Sequence, residues 1–168
     1  MIALVGKNFI AGELSPTASA DAPPQSTFEH FNPRTRQPNP LRFPNATPAE
    51  IDAAVQAAQQ AYQITRSLPA ATLAELLERI AQEIEALGDQ LLETADAETA
   101  LGLPRLTGER GRTTGQLRAF AALLHEGSYV EAIIDPALPD RQPAPRPDIR
   151  RMLFPIGPVA VFSASNFP

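Results

Sequence analysis

Gly157-Pro158-Val159-Ala160-Val161-Phe162-Ser163 is an almost unbroken apolar run, and Ala164-Ser165-Asn166-Phe167-Pro168 follows it. Continuous apolar strands without polar alternation belong to parallel sheets covered on both faces, so the run predicts a buried β-strand. A parallel neighbour is reached only through a crossover of about a dozen residues or more. None follow in this sequence. The expectation is an α/β chain that stops on the opening strand of a larger sheet, a truncated fold.

Composition narrows the function class. With 43% hydrophobic and 20% charged residues the 168-residue chain is of ordinary globular type. A net charge of −5 argues against a general nucleic-acid binder, which needs a concentrated basic face. The one basic cluster, Arg141, Arg146, Arg150 and Arg151, is interrupted by prolines and diluted by Asp140 and Asp148, so it reads as a solvated or interface-lining stretch. No cysteine is present, which excludes disulfides and thiol chemistry within these residues. No apolar stretch approaches a membrane span, and the first residues lack the pattern of a secretory signal, so a cytoplasmic location is expected.

Prolines crowd two regions, Pro16 to Pro48 and Pro136 to Pro158, and leave a helical middle between them. Ahead of it, residues 8–13 and 27–33 read as one small antiparallel pair of strands joined by a long loop. Thr47-Pro48-Ala49-Glu50 carries an N-cap threonine, a proline at the first helical position and a glutamate placed for a capping box. Ile51, Ala54, Val55, Ala58 and Tyr62 then recur at helical spacing.

A second helix carries Leu73, Leu76, Leu77, Ile80, Ile84 and Leu87 on one face and is expected to stop at Gly88. A third is expected from a cap at Asp89 to Gly102 and Pro104. A fourth opens at Thr107, shows Leu117, Phe120, Ala121 and Leu124 on one face, and closes at Gly127. His30 reads as a surface strand histidine and not a metal ligand, and His125 as an imidazole near a helix C-terminus, where it suits the dipole. Residues 129–135 and 148–154 are two strands on a proline-rich connection, an arm with exposed edges that calls for cover by another chain or domain.

Several of these stretches resemble the aldehyde dehydrogenase superfamily. Residues 9–13 are similar to its first strand, 31–35 to its second, and 47–55 to its first helix. Glu98 to Arg110, with Arg112-Thr113 and Gln116 to Phe120, resembles one branch, the NADP-preferring α-ketoglutaric semialdehyde (2,5-dioxopentanoate) dehydrogenases, as do Pro145 to Arg150 and the closing Phe-Ser-Ala-Ser-Asn-Phe-Pro. Most members carry Pro-Trp where Ala164-Ser165 stands here. The resemblance implies the N-terminal portion of an aldehyde dehydrogenase fold: strands and helices of the cofactor-binding domain over 1–128, an oligomerisation arm over 129–154, and the first strand of a Rossmann-like dinucleotide-binding sheet over 155–168.

The implied chemistry oxidises an aldehyde to a carboxylate through a covalent thiohemiacetal, with hydride passing to NADP or NAD. By the resemblance, Asn166 donates to the developing oxyanion and the backbone of Phe162, Ser163, Ala164 and Ser165 contacts the cofactor. The preferred aldehyde of the branch carries a 2-oxo acid, for which Arg112 and Gln116, one turn apart on the fourth helix, are the candidate clamp. Read without the resemblance, Asn166 is a turn residue after the strand, and Arg112 with Gln116 is a solvated helix flank. The nucleophilic cysteine and the glutamate base of the family lie downstream of anything present here, so the chain alone is expected to be inactive. Its partners are expected to be a small aldehyde and further copies in a homo-oligomer, with no metal, nucleic acid or membrane. Two alternatives remain open: a non-catalytic interaction module, and one half of a split enzyme completed in trans.

Overall fold

The structure is a computed structural model that describes residues 4–15 and 26–163. Strands β1 (Phe9–Ile10) and β2 (Glu13–Leu14) form a minimal hairpin. Its two-residue turn, Ala11-Gly12, has φ of 54° and 88°. Left-handed values at both central positions are what a tight hairpin turn needs to match strand twist.

Strands β3 (Thr27–Phe31) and β4 (Pro38–Pro44) form a second antiparallel hairpin, with Phe28 opposite Phe43 and their rings stacked at 5.6 Å. The expected pairing of 8–13 with 27–33 is therefore corrected, because each segment closes on its own neighbour through a short turn. β4 was not anticipated. Pro38, Pro40 and Pro44 argue against a central strand, but in a two-stranded ribbon every strand is an edge and a missing N–H is tolerated on the outer side.

Helix α1 (Pro48–Thr65) begins as the sequence requires. The Thr47 hydroxyl accepts from the Glu50 amide at 3.2 Å, and the Glu50 carboxylate accepts from the Thr47 amide at 2.8 Å. Nothing in α1 is buried, and Ile51, Val55 and Ile64 are exposed along it.

Helix α2 (Ala70–Ala86) packs along α4 (Leu103–Glu126), and α3 (Gly88–Thr99) closes one end of the pair. The buried apolar residues are small or few: Ala74, Ala81 and Ala121 let α2 and α4 approach, with Leu92 and Leu106 beside them. Leu73, Leu77, Ile84 and Leu87 are half-buried, as their shared face predicts, whereas Leu76 and Ile80 stay exposed at its edge.

Gly88 has φ of 58°, but the chain re-enters a helix at once, so the expected stop is a corner. Asp89 makes no capping bond and instead lies in the first turn of α3, where a carboxylate suits the helix dipole. α3 ends at left-handed Ala100, and Gly102 (φ 88°) with Pro104 opens α4 four residues before the expected Thr107. Proline fits there because the first-turn amides have no helical partner. Thr107 is inside the helix, its hydroxyl donating to the Leu103 carbonyl at 2.8 Å.

After Gly127 a 3-10 turn at Ser128–Val130 leads to β5 (Ile133–Asp135), which pairs antiparallel with β6 (Ile149–Arg151). The two strands expected over 129–135 and 148–154 are present and paired, each shorter than expected. The final described segment departs most from the sequence reading: residues 152–163 belong to no strand, and Val159, Val161 and Phe162 are 72, 82 and 96% exposed. An apolar run becomes a buried strand only when neighbouring strands supply ladder bonds and helices cover its faces. Among the described residues none does either.

Candidate functional site

α4 determines where the expected substrate residues lie. Leu106, Thr114 and Ala121 turn inward, and Arg110 reaches back to donate to the Gly88 carbonyl at 3.0 Å. These contacts fix the rotation of the helix, and they leave Arg112 and Gln116 exposed on its outer side. Phe120, expected on the inner face, is 51% exposed and continues that outer stripe one turn on from Gln116. A guanidinium and an amide one turn apart offer several donors to a planar carboxylate.

The end of the chain offers the second half of the expected site. Phe162 and Ser163 are exposed, and no hydrogen bond occupies their backbone groups among the described residues. Open peptide N–H and C=O groups are compatible with a polar cofactor edge. Ala164, Ser165 and Asn166 lie outside the described residues. Arg112 and Gln116 on one side and Phe162 and Ser163 on the other are not linked by any described contact.

Two of the clefts among the described residues lie elsewhere. One of about 270 Å³ lies where α2, α3 and α4 meet, lined chiefly by Ile84, Leu87, Leu91, Leu92 and Leu106 with Arg110 at its edge. The other, about 150 Å³, lies between β4 and α3 beside His30, Asn39, Thr94 and Glu98. Neither contains Arg112 or Gln116. His30 is half-buried, tilted against Phe43 at 5.4 Å, and its Nε2 lies 3.2 Å from the Glu98 carboxylate without a hydrogen bond, where β3 meets α3. No local pattern announces that pairing, because 68 positions separate the partners. His125 lies in the last turn of α4, as expected.

One ion-pair cluster joins α4 to α2. Arg118 grips Glu85 with two bonds of 2.7 and 2.8 Å and approaches Glu78 at 3.4 Å. That hydrogen bonding holds the Glu85 carboxyl down at about 2. The Ser128 hydroxyl and amide likewise lower Glu126.

Residues 20–168 match the aldehyde dehydrogenase family, and the chain belongs to it. It is 48% identical over 163 residues, 97% of its own length, to the alpha-ketoglutaric semialdehyde dehydrogenase of Acinetobacter baylyi, of which it spans 30%. Alpha-ketoglutaric semialdehyde dehydrogenase 2 of Azospirillum brasilense is 46% identical over 160 residues, with 95% of this chain and 30% of that protein covered. Among solved structures, succinate-semialdehyde dehydrogenase from Burkholderia pseudomallei superposes with a TM-score of 0.66 at 30% identity, over 82% of this chain and 26% of that one. The chain thus spans about 30% of the length of the curated relatives it matches, and its fold is the N-terminal portion of an aldehyde dehydrogenase fold.

Proposed function

We propose that this chain forms the N-terminal part of an NADP-dependent aldehyde dehydrogenase that oxidises 2,5-dioxopentanoate to 2-oxoglutarate in the cytoplasm. The observation that carries the reading is the 48% identity, sustained over 163 residues, with a protein named for that semialdehyde. In this reading Arg112 and Gln116 hold the distal 2-oxo acid, and the backbone of Phe162, Ser163, Ala164 and Ser165 borders the cofactor. The Asn166 amide donates to the oxygen that becomes negative in the transition state, where a fixed neutral donor is most effective. When bound, the nicotinamide supplies the hydride acceptor. The nucleophile comes from residues beyond these, since there is no cysteine here. Homo-oligomerisation through the β5–β6 arm belongs to the same proposal.

The test is a full-length protein carrying this chain, assayed with 2,5-dioxopentanoate and with a neutral aliphatic aldehyde of similar length, each with NADP and NAD. The reading expects the highest kcat/KM for 2,5-dioxopentanoate with NADP. Equal kcat/KM for the two aldehydes rejects the substrate assignment, and a preference for NAD rejects the cofactor.

A further inference from the structure

Only two described long-range bonds hold the segment that follows β6. The Leu153 amide donates to the Val130 carbonyl at 2.8 Å, and the Tyr62 hydroxyl donates to the Pro155 carbonyl at 2.7 Å. Beyond Pro155 no hydrogen bond reaches residues 156–163 among the described residues. Tyr62 is therefore the last anchor before Phe162 and Ser163.

Tyr62 is suited to that position. It is half-buried near the end of α1, and the Arg66 guanidinium lies 5.4 Å from its ring centroid, one turn further along the same helix. A rigid helix thus supplies both the ring and the group that packs on it. Downstream, Pro155 and Pro158 have φ fixed by their rings, and Gly157 between them takes φ of 128°, which a side-chain-bearing residue rarely adopts. The Pro155 carbonyl is thus the last tethered point among the described residues, and the chain after it starts from the position that Tyr62 gives it.

We infer that Tyr62 is a positioning residue: its bond to the Pro155 carbonyl sets the trajectory of residues 156–163 and so presents the backbone of Phe162 and Ser163 to the nicotinamide cofactor. This rests on the reading of those residues as cofactor-binding. The bond spans 93 positions, so it couples α1 to a segment that sequence-local structure leaves unconstrained. The hydroxyl touches neither substrate nor cofactor and acts only through the chain it holds.

The test is Tyr62→Phe in a full-length protein carrying this chain, which keeps the ring and its Arg66 contact and deletes one hydroxyl. Direct titration with NADP should show a dissociation constant raised about 5-fold, the scale of one lost hydrogen bond. The same factor should appear in the cofactor KM, with the melting temperature unchanged. An unchanged dissociation constant in the variant, beside a wild type that binds NADP, overturns the inference alone. A fall in melting temperature with kcat and KM both altered makes Tyr62 an ordinary structural residue and also overturns it. A wild type that binds neither NADP nor NAD rejects the cofactor reading itself, and the inference falls with it.

Discussion

Arg118 reaches from α4 to two carboxylates of α2, and its bidentate grip holds Glu85 well below the ordinary carboxylate value of 4.5. A carboxylate whose folded pKa is depressed stabilises the fold above its unfolded value, and that contribution fades as pH falls through the folded one. Helical signal from the α2–α4 pair should therefore weaken as pH drops from 4.5 towards about 2. In Arg118→Gln the pair should be less stable at neutral pH and the loss between 4.5 and about 2 should flatten, and identical acid profiles by circular dichroism would contradict the assignment. A second residue-scale prediction separates Arg112 from Asn166 in a full-length protein. Arg112→Ala should raise KM for 2,5-dioxopentanoate by about 1.5 to 3 kcal/mol, the range for a hydrogen bond to a charged group, and spare a neutral aldehyde. Asn166→Ala should lower kcat for both aldehydes, on the order of 100-fold, because an oxyanion is common to every substrate. Equal slowing of both aldehydes by Arg112→Ala would return that residue to the helix flank.

At the scale of elements, the best-defined feature is the start of α1. Thr47→Ala removes a side-chain acceptor from the Glu50 amide and should cost about 1 kcal/mol of helix stability. Faster amide exchange over residues 48–52 would report it, and unchanged exchange would show the cap to be redundant. This start was legible because a capping box is written within four consecutive residues. The α2 face was legible for a similar reason, since its spacing is local. The hairpins were not, because which strand a short run pairs with depends on turn geometry such as the paired positive φ values at Ala11 and Gly12. The start of α4 was misplaced because Gly102 and Pro104 are equally good signals for a helix ending and for one beginning. The run at 157–163 reads as a strand from its apolar character and from the resemblance, but a strand exists only with neighbours. The site was legible only through resemblance: helical spacing puts Arg112 and Gln116 one turn apart, but nothing local announces the Tyr62–Pro155 bond.

The whole molecule exposes 12815 Å² of surface. A folded monomer of 18.1 kDa is expected to expose roughly 8,000 Å². Among the described residues the core has no large aromatic side chain, for the buried apolar residues are Ala74, Ala81, Leu92, Leu106 and Ala121, while Phe9, Phe154, Ile156, Val161 and Phe162 are 65% or more exposed. Exposed apolar area of this extent on α1, the arm and residues 152–163 is unfavourable in water and is relieved by contact with a further domain or another chain. The isolated chain should therefore self-associate or melt without a sharp cooperative transition, and it should give no aldehyde-dependent reduction of NADP or NAD. Light scattering should show mass well above 18.1 kDa, rising with concentration. Among the described residues β5 and β6 pair only with each other, and their outer edges offer a route for that association, since free N–H and C=O groups template strand addition. Ile134→Lys should then shift the distribution toward monomer if edges dominate, whereas Val161→Ser with Phe162→Ser should do so if the apolar segment dominates. A single monomeric species with two-state melting in the unmodified chain would show that these 168 residues bury what they need unaided.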